Sequence, residues 1–154
     1  MKNIQKVFSM KKMFVNQSGF TLLEVLIAIS ILTVGLLGVA QMQIMGITGN
    51  YFSGNTTAAL TLAEEKMEDL LGKSYSHTDL DDPVPGNNAN LTSITTVDRT
   101  ENVNEGGQVV AGGFYRRIWN VANDTPILGT KTVAVIVTWE NDSHSVSIAC
   151  IKPQ

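Results

Sequence analysis

The chain has 154 residues, enough for one ordinary globular domain. Its formal charge is −3, yet the first 19 residues carry four lysines and no acid, so the rest, with seven basic and fourteen acidic residues, stands at −7. An acidic body excludes nucleic acid as a partner, because phosphate binding needs a clustered basic face. Beyond residue 19 the one adjacent basic pair is Arg116 and Arg117. A single cysteine, Cys150, excludes an internal disulfide. It reads first as a small buried apolar residue on a strand, and second as a bridge between chains in an oxidising compartment.

Mean hydropathy is +0.09, but the apolar residues are concentrated in one run, Phe20 to Ala40, whose polar members are Thr21, Glu24, Ser30 and Thr33. At about 1.5 Å per residue a helix of that length spans roughly 30 Å, the thickness of a bilayer core. Lys2, Lys6, Lys11 and Lys12 precede it and acids predominate after it. The positive-inside rule therefore puts the N-terminus in the cytoplasm and exports the C-terminal domain. As a secretory signal the run is too long, although Gly38-Val39-Ala40 has the form of a cleavage site. As a plain anchor it leaves Glu24 unexplained, since a carboxylate in a membrane helix costs several kcal/mol unless paired.

Residues 18–29, SGFTLLEVLIAI, resemble the class III prepilin signal of type IV pilin-like proteins. That resemblance implies a prepilin peptidase cutting on the cytoplasmic side between Gly19 and Phe20, discarding the leader 1–19 and keeping the helix. It further implies N-methylation of the new terminus, Phe20. Glu24 becomes the fifth mature residue, whose carboxylate meets the free amino terminus of a neighbouring subunit in the filament core. Either charge alone is expensive in apolar surroundings and the pair is favourable there, so the penalty becomes a docking register. Met10 and Met13 offer alternative starts, and both leave the same mature chain.

Helical character continues from 41 to 72. Leu60, Ala63, Met67, Leu70 and Leu71 make an apolar stripe, with Glu64, Glu65, Lys66, Glu68 and Asp69 off it. Gly72 reads as the stop and Lys73 as the cation of the last turn. Glycines 35, 38, 46, 49 and 54 interrupt the helix; they suit close helix packing in a membrane, and equally a stretch able to unwind. Residues 74–90 are turn formers and read as an exposed connecting loop. Its His77, Asp79, Asp81 and Asp82 lack the spacing of a calcium loop and read as solvated charge.

Strands follow in the domain 73–154. Leu91–Val97 alternates weakly; Phe114–Val121 sets Tyr115, Arg117, Trp119 and Val121 on one face. Lys131–Glu140 sets Val133, Val135, Val137 and Trp139 on one face, and Asn141-Asp142-Ser143 turns into Ser145–Ile151. The expected fold is α+β, one long N-terminal helix packed against a small antiparallel sheet. No phosphate loop, dinucleotide fingerprint, nucleophile elbow or zinc spacing appears, and His77 and His144 stand apart. The chain therefore reads as a non-enzyme without cofactor or metal.

The stretches GFTLLEVLIAISILTVGLLGVAQMQ, LAEEKMEDLLG, FYRRIWNV and KTVAVIVTWE are similar to the PilV group of minor pilins, the type IV pilus modification proteins. That resemblance implies a low-abundance fibre subunit priming assembly at the tip. Its partners are then prepilin peptidase, the major pilin and other minor pilins, and the inner-membrane assembly platform. The type II secretion minor pseudopilin I shares the LAEEKMEDLL-like stretch and is the nearest alternative. An exported adhesion domain held by the same stem is a third.

Overall fold

The computed structural model describes residues 19–154. The expected leader lies outside the described residues except for Gly19, as do its four lysines, Met10 and Met13. One α-helix, α1, runs Leu22–Gly72, and four strands follow: β1 Arg99–Val103, β2 Tyr115–Asn123, β3 Thr130–Trp139 and β4 His144–Pro153. The strands form one antiparallel sheet in the order β1-β2-β3-β4. One long helix packed against a four-stranded antiparallel sheet is the α+β arrangement the sequence leads one to expect. The chain divides into two units, one ending at Met45 and the other Gly46–Gln154.

In the first unit α1 is exposed on every side from Leu22 to Met45. Two of its hydroxyls are nonetheless satisfied within the helix. Ser30 Oγ donates to the Leu26 carbonyl at 2.8 Å and Thr33 Oγ1 to that of Ile29 at 2.6 Å. Such back-bonding conceals hydroxyls that apolar surroundings would otherwise penalise.

In the second unit α1 buries Ala59, Leu62, Ala63, Lys66, Met67 and Leu70. They meet one face of the sheet, formed by Tyr115, Trp119 and Val121 of β2 and Val133, Val135, Val137 and Trp139 of β3. The predicted stripe needs two corrections. Leu60 is 40% exposed, whereas Lys66, placed off the stripe by its charge, is 8% exposed on it. Lys66 reaches the seam because its ammonium lies 3.9 Å from the Trp119 ring centroid and 3.2 Å from a Glu101 oxygen. The cation serving the end of the helix is also different. Lys152 of β4, 8% exposed, donates to the carbonyls of Leu70 and Leu71, while Lys73 turns to Asp69 and Asp79 at 2.6 and 2.7 Å. A cation on the last carbonyls satisfies groups that the helix leaves unpaired.

The two central strands are buried on both faces. Ile118, Asn120, Ala122, Ala134, Ile136 and Thr138 point away from the helix and are buried too, and residues 87–98 are held to this face at Asn120. Asn120 ties that segment down. Its Nδ2 donates to the carbonyls of Leu91 and Ser93 at 2.8 and 3.0 Å, and its Oδ1 accepts from Asp98 N–H and Asn87 Nδ2. Two expectations fail here for the same reason. Leu91–Val97 forms no strand, since its backbone is committed to Asn120 and to local Ser93 and Thr96 bonds. The connection after the helix is not simply exposed, since Leu80 and Asn87 within it are 0% and 2% exposed. The first strand, Arg99–Val103, comes later and is set by its register with β2.

The hairpin between β3 and β4 turns through Glu140, Asn141 and Asp142, all with positive φ. Left-handed backbone at three non-glycine residues is unfavourable, and Asp142 offsets it by accepting from Arg116 at 2.6 Å and from the Thr138 hydroxyl. Near the start of β2, a Cβ on Gly113 would stand 2.5 Å from the Val103 carbonyl oxygen. Only glycine allows that approach.

Candidate functional site at the head of the helix

Gly19, Phe20 and Thr21 precede α1 in non-helical conformation and are exposed, Phe20 by 89%. Thr21 carries the N-cap role and Glu24 the third helical position, the spacing of a capping box. Thr21 N–H and Thr21 Oγ1 both donate to Glu24 Oε2, at 2.8 and 2.9 Å, and Glu24 N–H donates back to Thr21 Oγ1 at 3.2 Å. The first helical bond, Val25 N–H to the Thr21 carbonyl, measures 3.2 Å. The carboxylate also sits at the positive end of the helix dipole, where a negative charge is stabilised. One oxygen is thus occupied by the cap; Oε1 has no hydrogen-bond partner among the described residues. Phe20, Glu24, Val25, Ala28 and Ile29 line a shallow groove of about 350 Å³ beside it.

Phe20 and Glu24 thus line one groove at an exposed, defined helix start, and Gly19 immediately precedes them in the chain. Sequence reading missed Thr21, although Thr21-Leu22-Leu23-Glu24 is a capping-box string in its own right.

The remaining candidate groups are engaged in holding the second unit together. Asp79 pairs with Lys73, and its N–H donates to His77 Nδ1 at 3.1 Å. The Lys73 hydrogen bond holds the Asp79 carboxyl below the usual carboxylate range, against the effect of burial. For Lys73 burial is the largest single influence and pushes downward, but the bonds and charges of Asp69 and Asp79 together raise it. Asp82 accepts from Asn88 at 2.9 Å. Among the described residues no three His, Cys, Asp or Glu side chains converge to hold a metal ion. Arg117, read in the sequence as half of a basic pair and as sharing a strand face with Tyr115, Trp119 and Val121, is 5% exposed and clasps Glu101 with Nε and Nη2, both at 2.7 Å. Glu101 thereby takes two buried cations, Arg117 and Lys66, across the helix–sheet seam. Cys150 is free and half-buried on β4, against the core.

Residues 15–40 match the prokaryotic N-terminal methylation motif, a type IV pilin-like prepilin signal covering about a sixth of the chain. No curated protein and no solved structure matches the chain. The motif belongs to structural rather than enzymatic proteins, and implies processing by prepilin peptidase and assembly into a pilus or pseudopilus. With the long apolar helix, it fits a membrane-anchored protein of the type IV pilin-like or pseudopilin kind.

Proposed function

We propose that this chain is a minor pilin of a type IV pilus, most like the PilV group, cut between Gly19 and Phe20 and N-methylated on Phe20. Residues 1–19 are then the leader, 20–40 the membrane half of the stem, 41–72 its amphipathic half and 73–154 the exported domain. The observation that carries the proposal is the arrangement of Glu24. Its Oε2 is spent on the Thr21 cap and its Oε1 is left open at the helix start. A carboxylate so held presents a fixed negative oxygen beside an apolar groove. It is costly in lipid and favourable once the amino terminus of a neighbouring pilin pairs with it. The major pilin, other minor pilins and the inner-membrane assembly platform are the partners this supposes, with Phe20–Ala40 in the inner membrane and the C-terminal domain in the periplasm before assembly.

Gly19→Leu should leave full-length precursor in the membrane, and normal processing of that variant would defeat the cleavage assignment. Glu24→Ala should be processed normally yet enter fibres poorly, by about tenfold or more for the loss of a buried pair; undiminished incorporation sinks the docking role. The same motif serves pseudopilins, so a type II secretion minor pseudopilin is the second reading. Deleting the gene separates them. Loss of fibres and twitching supports the pilus, loss of secreted enzymes the pseudopilin, and normal fibres with poor attachment an adhesion domain.

A further inference from the structure

We infer that the outer edge of β4 is a docking edge for a second copy of this chain, taken up as an antiparallel β4–β4 pair about a two-fold axis at Ile148. The pairing rests on the Gly46–Gln154 unit alone; what it joins rests on the filament reading above.

The sheet has two outer strands, and one of them is closed by its own chain. Val103 of β1 bridges Val109, Val110 N–H donates to the Asn102 carbonyl at 3.0 Å, and Asn104 N–H donates to that of Gln108 at 3.0 Å. The rest of β1, Arg99 to Glu101, carries two charges, which resist a further strand. On β4 the ladder shows which groups face outward. Pro153 has no N–H yet pairs with Thr130, and Gln154 N–H donates to the Gly129 carbonyl at 3.1 Å. The even-numbered residues of β4 therefore bond β3, while Ser145, Ser147, Ala149 and Ile151 turn their N–H and C=O groups outward. None of those four N–H groups has a partner among the described residues.

This edge lacks the devices that keep free strands apart. From Ser145 to Ile151 there is no charge, proline or glycine. Lys152 is turned to the Leu70 and Leu71 carbonyls, and Pro153 ends the run of outward N–H groups. A second copy is the occupant because the edge is self-complementary and, with β1 closed, β4 is the strand a copy has to offer. Bonding all four outward residues antiparallel sets Ser145 against Ile151 and Ser147 against Ala149 of the second copy. On the helix side Ile148 meets Ile148 and Val146 meets Cys150, so side chains that are half-buried against the core close on one another. Within each unit α1 runs with β4, Phe52 lying 5.2 Å from His144 and Leu70 and Leu71 meeting Lys152. The paired copies thus point in opposite directions. Subunits of one polar fibre share a direction, so on the filament reading the pair links two fibres.

The test uses the processed full-length chain in detergent. With Cys150→Ser, sedimentation should show a dimer that dissociates on dilution. Adding Ala149→Pro removes an outward N–H that β3 does not use, and should leave a monomer with unchanged Trp119 and Trp139 fluorescence. Adding Ile148→Cys to Cys150→Ser should instead give a disulfide-linked dimer on mild oxidation, many-fold above the native chain. The two residues 148 face each other in a non-bonded pair with Cα atoms about 4.5 Å apart, within disulfide reach. Two native Cys150 residues stand four residues out of register, roughly 14 Å along the strands. A monomer at every concentration, a dimer that Ala149→Pro leaves intact, or bridging through Cys150 in preference to residue 148 overturns the pairing. Bridging of residue 148 to a different chain in fibre preparations shows a foreign strand on the edge and overturns it too. Should Ala149→Pro not fold, the crosslink at residue 148 decides alone. The N-terminal peptide mass of the same preparation tests the filament reading separately.

Discussion

The two halves of α1 share one backbone geometry and meet different surroundings. From Leu22 to Met45 the large aliphatic side chains are 46–83% exposed on all sides, whereas between Ala59 and Leu70 they are buried along a single stripe. The first half is apolar at most positions and shows no preferred face, the pattern that even lipid surroundings ask of a membrane helix. The second half has one partner, the sheet, and its sequence divides into a buried line and a charged remainder. Periodicity in a helix thus reports how many sides have a dry neighbour, and its absence in an apolar helix is itself information.

The largest effects should break along that division. Leu70→Ala removes a side chain that is 0% exposed and should cost about 3 kcal/mol in denaturant unfolding of the detergent-solubilised chain, followed through Trp119 and Trp139. Leu32→Ala, 60% exposed, should change the same transition by less than about 0.5 kcal/mol. Equal losses would mean that the halves stabilise the sheet together. Glu101→Gln strips the shared counter-charge from Arg117 and Lys66 and should cost about 2–3 kcal/mol; adding Lys66→Met should recover part of that loss, and no recovery would mean the cations are not coupled. Gly113→Ala forces a Cβ against Val103 backbone and should cost about 2 kcal/mol by the same assay.

The smallest effect is the pH dependence of the Lys73–Asp79 pair. The folded Asp79 carboxyl lies below its unfolded value, so its contribution is complete above the unfolded value and fades as pH falls through the folded one. Lys73 is raised, so its contribution is complete below the unfolded lysine value and is lost as pH rises through the folded one. Asp79→Asn should therefore cost about 0.5 kcal/mol at neutral pH, and its difference from the native chain should close in acid. A gap that stays constant down to low pH would assign the effect to the neighbouring backbone bonds instead.

Most of what was legible in the sequence is local. Gly72 ends the helix, β3 and β4 pair through the Asn141-Asp142 turn, and Gly19, Phe20 and Glu24 sit in one contiguous motif. What was not legible depends on distant partners. Arg99–Val103 has no apolar alternation and is a strand because β2 offers it hydrogen bonds. Residues 91–97 alternate weakly, yet Asn120, far along the chain, claims their carbonyls. Lys66 reads as solvated until Glu101 and Trp119 are seen across from it. Thr21 is the exception, a short-range signal present in the string and overlooked beside the more familiar glutamate.

The filament role turns on where the N-terminus is cut, and the mass of the N-terminal peptide from the membrane or fibre form measures that directly. The predicted result is a peptide beginning at Phe20 and carrying one N-methyl group, with the apolar helix intact behind it. A chain beginning at Gln41 would make the run an ordinary secretory signal, and one still bearing Lys11 and Lys12 a plain anchor; either would contradict the filament role.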